Sequence, residues 1–179
     1  YNAASVGSEG FNFTGETTFG SGVNLTSYWG KNLKFSGVLH AANGFTVSGS
    51  AGEYSYFNLL NVGNDIEGNI TLTRSLLSLG ISSSGSLGSA AVVTDAENKS
   101  QLITYYGTAG EAADVINNSM TGAGHFVAQS GWVHLSSNVA LTGEYTVNAG
   151  AVLSRTGNIA AILGGGRLDA GCLLYTSDA

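Results

Sequence analysis

The sequence predicts an all-β fold of the parallel β-helix (solenoid) type. Two observations predict it. Short segments alternate apolar and polar residues, and they recur roughly 6–9 residues apart with Gly, Asn and Ser between them. The composition holds 27 glycines, no proline and only 10 % charged residues, against about 25 % in ordinary soluble domains. A short strand cannot bury its inner face alone. Stacked on neighbours of the same kind, it gains ladder hydrogen bonds on both edges and a shared apolar interior. Hydrophobic residues make up 43 % of the chain, which is enough for a core and argues against disorder.

The elements follow in chain order. Phe11-Asn12-Phe13, Thr17-Thr18-Phe19 and Val23-Asn24-Leu25-Thr26 are short alternating pieces separated by glycine. Leu33-Lys34-Phe35 and Phe45-Thr46-Val47 repeat the pattern. Tyr54 to Leu60 and Asn69-Ile70-Thr71-Leu72-Thr73 read as strands. Residues 82–90, rich in Ser and Gly, read as a turn or a thin rung. Residues 94–100 read as an outer loop, and Leu102 to Tyr106 as a strand. Residues 110–116 fit either a short helical turn or a strand. The rhythm is strongest from Met120 to Leu168. There, Gly131-Trp132-Val133-His134-Leu135 and Glu144-Tyr145-Thr146-Val147-Asn148 place Val133, Tyr145 and Val147 inward. Little helix is expected outside residues 109–118. Coils of roughly 20 residues would give about 8 coils. The competing architecture is an antiparallel sandwich or barrel, which more often has turn signals every 8–12 residues and proline at its edges.

Charge excludes some functions. Twelve acidic and six basic residues give a net charge of −6. Nucleic acid needs a basic footprint, and an anionic membrane surface attracts polybasic segments. No apolar run approaches the ~20 residues of a membrane helix.

Residues 172–179, Cys172 to Ala179, correspond codon for codon to a transposase adapter used in preparing sequencing libraries. The natural sequence is therefore expected to stop near Gly171 and to contain no cysteine. Without Asp178 the net charge becomes −5, from eleven acidic and six basic residues. The chain opens at Tyr1. It reads as an internal fragment, a β-helix over residues 1–171.

Residues 121–153 carry Leu141-Thr142-Gly143 and Thr146-Val147-Asn148-Ala149-Gly150, followed by Leu153. This stretch resembles the autotransporter-associated β-strand repeat. In that family a Gly-x-Gly rung precedes a Leu-Thr-Gly step and a Thr-x-Val-Asn-Ala-Gly-x-Leu rung. Leu153 falls one place late. Residues 1–90 match only in style, so the resemblance covers about a third of the chain. It implies a right-handed parallel β-helix in the passenger of a type V secreted protein, located at the cell surface or outside the cell. A C-terminal β-barrel translocator is expected in the full-length protein. The motif is structural and carries no catalytic residue to transfer.

The residues that could carry chemistry form no recognised site. Asp65-x-Glu67 with Arg74 is the best acid pair, since carboxylate clusters do acid–base work in pectin-cleaving β-helices. Its place between Gly63 and Gly68 favours a solvated turn. Asp95 and Glu97 read as exposed, and Glu111 with Asp114 as a loop face. His40, His125 and His134 lack metal-ligand spacing, and the two later histidines are expected to point outward. A catalytic triad lacks its nucleophile elbow. Gly164 to Asp169 departs from the calcium nonapeptide at Arg167. Gly20-x-Gly22 and Gly122-x-Gly124 lack the rest of a nucleotide fingerprint. Tyr28-Trp29, Tyr54, Tyr56, Tyr105 and Tyr106 fit core packing, or stacking on sugars where exposed. The triplet Asn24-Leu25-Thr26 would be a glycosylation site only in a eukaryotic secretory setting.

No catalytic, cofactor or metal residue is assigned. The expected function is an adhesin-like structural segment of a bacterial passenger, not an enzyme, whose partners are host or matrix glycans or proteins. The alternative is a β-helical polysaccharide lyase or hydrolase. Asp, Arg and Lys clustered on one face of adjacent coils would favour the enzyme. A Thr/Ser/Asn face would favour the stalk.

Overall fold

A computed structural model describes residues 10–26, 32–48, 55–73, 77–94, 101–105, 113–156, 162–163 and 167–168. Successive strands pass around three faces and then return one level further along. The first level holds β1 (Phe11–Phe13), β2 (Thr17–Thr18) and β3 (Asn24–Thr26). The second holds β4 (Asn32–Phe35), β5 (Leu39–Ala41) and β6 (Phe45–Ser48). The third holds β7 (Ser55–Leu59), β8 (Asp65–Ile66) and β9 (Asn69–Thr73). In the fourth, β10 (Leu77–Ile81) and β11 (Ala91–Thr94) flank a 3-10 turn, Ser84–Leu87. Next come β12 (Gln101–Tyr105), β13 (Asp114–Ile116) and β14 (Met120–Gly122), then β15 (His125–Ser130), β16 (Trp132–Leu135) and β17 (Val139–Leu141). The last strands are β18 (Tyr145–Val147), β19 (Val152–Arg155), β20 (Ile162–Leu163) and β21 (Arg167–Leu168).

One face is an eight-stranded sheet, β1-β4-β7-β10-β12-β15-β18-β20. Another is six-stranded, β17-β14-β11-β9-β6-β3. The face between them is split into β2-β5-β8 and β13-β16-β19-β21. Every strand pairing among the described residues is parallel. The chain is thus an all-β parallel β-helix, and the sandwich alternative falls. Among the described residues five levels carry a strand on all three faces, fewer than the eight coils expected from the coil length, although the longest sheet reaches eight strands. Coil length itself is uneven. Leu33 pairs with Phe57 and Leu102 with Phe126, but Phe126 pairs with Tyr145 and Tyr145 with Ile162, so the last coils are the shortest.

Register converts the period-two pattern into columns. On the long sheet, Phe11, Leu33, Phe57, Leu79, Leu102, Phe126, Tyr145 and Ile162 stand in one line along the stack. Phe57, Leu79 and Phe126 are fully buried. On the six-stranded face, Phe45, Ile70, Val92, Met120 and Val139 form a second buried column. Val133 and Val147 face inward, as the alternation requires. The early coils are filled by rings. Phe35 lies 5.3 Å from Phe57, and Phe45 lies 5.5 Å from Phe57, centroid to centroid. Phe19 meets Phe35 and Phe45 edge-on. These separations suit aromatic pairs, which add to the burial of apolar area.

Corners bring backbones from adjacent levels into contact. Gly44 has φ +65°, and a Cβ placed there would sit 2.1 Å from the Asn69 carbonyl oxygen. Only glycine meets both conditions. The stretch over residues 82–90 folds as a 3-10 turn and not as a flat rung. It is helix outside residues 109–118, though only one turn of it. Leu87 from this turn is fully buried, so the turn closes the interior where the split face lacks a strand. Within residues 110–116, Asp114–Ile116 is strand.

Candidate functional site

The outer faces carry the groups that could do chemistry. Asp65 lies in β8, not in a turn, and both Asp65 and Glu67 are exposed. Arg74 lies outside the described residues, as do Asp95, Glu97 and Glu111. The partner of Asp65 is instead His40 on the neighbouring strand, in register with it. His40 Nδ1 is 3.5 Å from Asp65 Oδ2, and His40 Nε2 is 2.8 Å from Glu16 Oε1. The two carboxylates thus engage opposite nitrogens of one ring. They do not converge on a common point where an ion or a scissile bond would sit. Among the described residues no group of three or more His, Cys, Asp or Glu could hold a metal ion.

His125 and His134 are half-buried on the outward parity of their strands. The Glu144 backbone N–H donates to His125 Nδ1 at 3.0 Å, which places the proton of the neutral ring on Nε2. His134 Nδ1 is 2.9 Å from Ser154 Oγ, a pairing that resembles a base and a nucleophile. The chemistry does not follow. Ser154 is buried, accepts from Trp132 Nε1 at 3.2 Å and donates to the Val133 carbonyl at 3.4 Å. The other nitrogen of His134 meets the Thr156 hydroxyl at 3.1 Å, so no carboxylate orients the ring. Asp114, expected on a loop face, is in β13 and accepts from the Ser84 N–H at 2.9 Å and from its hydroxyl. It holds the 3-10 turn in place.

Two features escaped the sequence reading. Arg155 occupies the interior column Ile116–Leu135–Arg155. Its Nη1 donates to the Tyr145 hydroxyl at 3.0 Å and its Nη2 to the Val139 carbonyl at 2.6 Å, while its buried Nε has no partner among the described residues. Burial pushes the Tyr145 phenol above its ordinary 10.0, with the Arg155 charge and hydrogen bond acting the other way. The second feature is an open groove of about 370 Å³ on the long sheet, lined by Asn32, Lys34, Tyr56, Asn58 and Leu60. Tyr56 was legible as a candidate for stacking. Asn32 and Lys34 come from β4, one coil away, and only the register places them beside it.

No protein-family model, curated protein or solved structure matches the chain.

Candidates outside the described residues are Tyr28, Trp29, Tyr54, Tyr106 and the adapter-like tail 172–179. No helix among the described residues is long and apolar enough to cross a membrane.

Proposed function

We propose that the chain is a structural β-helical segment of a bacterial autotransporter passenger, serving adhesin-like display at the cell surface. The observation that carries this reading is the outer row of the six-stranded face. Asn24, Thr46 and Thr71 stand in one column, and Thr26, Ser48 and Thr73 in the next. The Ser48 and Thr73 hydroxyls lie 2.8 Å apart, so the row bonds to itself along the stack. Such a face is a rigid spacer of hydroxyls and amides and offers no acid–base pair. The Leu141-Thr142-Gly143 and Thr146-Val147-Asn148-Ala149-Gly150 motifs, with their resemblance to the passenger repeat, supply the setting.

The test has two arms. Fused between an export leader and a β-barrel translocator, the chain should reach the cell surface in a form resistant to added protease. Purified, it should release neither reducing ends nor unsaturated products from pectin, glucan or mucin glycans. Turnover that disappears in Asp65→Ala or Glu67→Ala would replace this reading with that of a polysaccharide-degrading enzyme.

A further inference from the structure

We propose that the groove on β4 and β7 is a binding subsite for an acidic saccharide, a sugar unit bearing a carboxylate within an extended glycan. This inference goes beyond the display role and does not depend on it.

The register builds the site. Asn32 is paired with Tyr56, and Lys34 with Asn58. The two strands lie about 4.8 Å apart, and outward positions on one strand recur every ~6.6 Å. The four side chains therefore tile a patch comparable to one sugar ring. Asn58 is buried, and its Nδ2 donates to Asn32 Oδ1. That bond fixes both amide planes and turns the Asn32 NH2 away from Asn58, where it can donate to a ligand hydroxyl. Tyr56 is half-buried and offers a ring face edged by a phenol. Lys34 is half-buried and has no ion-pair partner among the described residues.

The chemistry selects the ligand. An aromatic face suits the C–H side of a pyranose, amides suit its hydroxyls, and an ammonium suits a carboxylate. The chain carries a net charge of −6, so an anion is repelled by most of its surface and is favoured beside a cation such as Lys34. The groove is open. Sites for small molecules bury most of the ligand's surface. This one would leave most of a monosaccharide in water, so it suits one unit of a polymer that continues along the sheet.

Calorimetric titration of the whole chain with hexagalacturonate, with the neutral hexamer of glucose and with polyglutamate tests the proposal. Hexagalacturonate should bind at least about tenfold more tightly than the neutral hexamer, the effect of one charge-assisted contact. Its affinity should fall as salt is raised. Lys34→Gln should weaken it about tenfold and remove most of the salt dependence. Tyr56→Ala should weaken it to a similar degree, and Tyr56→Phe by no more than about threefold. Both sites are partly exposed, and circular dichroism will report that the variants fold. No binding of hexagalacturonate by the unmodified chain overturns the proposal. So does binding that both Lys34→Gln and Tyr56→Ala leave unchanged. Polyglutamate binding equal to that of hexagalacturonate also overturns it, in favour of an acidic protein partner.

Discussion

Tyr145 carries an oxygen into the core, and the chain has to satisfy it there. The hydroxyl donates to the Leu141 carbonyl at 3.0 Å and accepts from Arg155, whose guanidinium carbon lies 5.4 Å from the ring centroid. Tyr145→Phe keeps the ring but leaves Arg155 Nη1 without its acceptor. A loss of about 1–3 kcal/mol at pH 7 is expected from urea melts. The pH dependence has a definite sign. The folded phenol titrates above its unfolded value of about 10, so the unfolded chain loses its proton first. Stability from Tyr145 is full below pH 10 and is lost as pH rises through the folded pKa. Phenylalanine has no such loss. The gap between the two proteins should therefore narrow in alkaline melts, and a gap that widens would refute the assignment. A second residue-scale case is Gly143, where an added Cβ would lie 2.4 Å from the Gly124 carbonyl oxygen of the adjacent coil. A Cβ at Gly20 meets nothing within 4 Å. Gly143→Ala should cost about 2–4 kcal/mol, while Gly20→Ala should change stability by less than about 0.5 kcal/mol. Equal effects would mean that coil spacing is softer than the packed backbone implies.

Among the elements, the corners are held by asparagine side chains that reach from one coil to the next. Asn64 is buried, accepts from the Leu39 N–H at 2.9 Å and donates to the Ser86 carbonyl at 2.9 Å. Asn118 donates to the Gly88 and Ala90 carbonyls, and Asn138 to that of Asn117. Asn64→Leu preserves bulk but strands a buried donor and a buried acceptor. It should cost about 2–4 kcal/mol, well above the cost of Asn138→Leu at an exposed corner, as read from denaturant midpoints. Matching costs would mean that water replaces Asn64. This device shows where sequence reading stops. The strands around Val133, Tyr145 and Val147 were legible because period-two alternation fixes which side chains face in. Alternation says nothing about which face a strand joins, so the pairing of Lys34 with Asn58 and of His40 with Asp65 had no local signal. Nor did the role of Asn64, whose acceptor and donor lie 22 and 25 residues away. The 3-10 turn at Ser84–Leu87 was obscured by small residues that suit any bend. Arg155 did leave a signal. It stands two places after Leu153, on the inward parity, where a charge demands an explanation.

Across the whole molecule, each coil touches only the coils above and below, so stability should propagate from neighbour to neighbour. The apolar filling changes along the axis. Rings dominate the early coils, where Phe57 packs against both Phe35 and Phe45, and aliphatic side chains with the stacked pair Phe126 and Tyr145 fill the later ones. The face between the two long sheets also changes hands at the 3-10 turn, where β8 gives way to β13. Phe57→Ala removes a fully buried ring from the third level and should cost about 3–5 kcal/mol, because flanking backbones fixed by ladders cannot collapse into the void. In a globular core that cost would be shared by the whole domain. In a stack it should be local. Native-state hydrogen exchange should show the amides of Phe35, Leu59 and Ile81, on the same level and its two neighbours, losing most of their protection. The amides of Val147 and Leu153, on far coils, should keep nearly all of theirs. Uniform loss from Phe35 to Leu153 would show that the helix unfolds as a single unit, with coupling between coils stronger than the cost of opening any one of them.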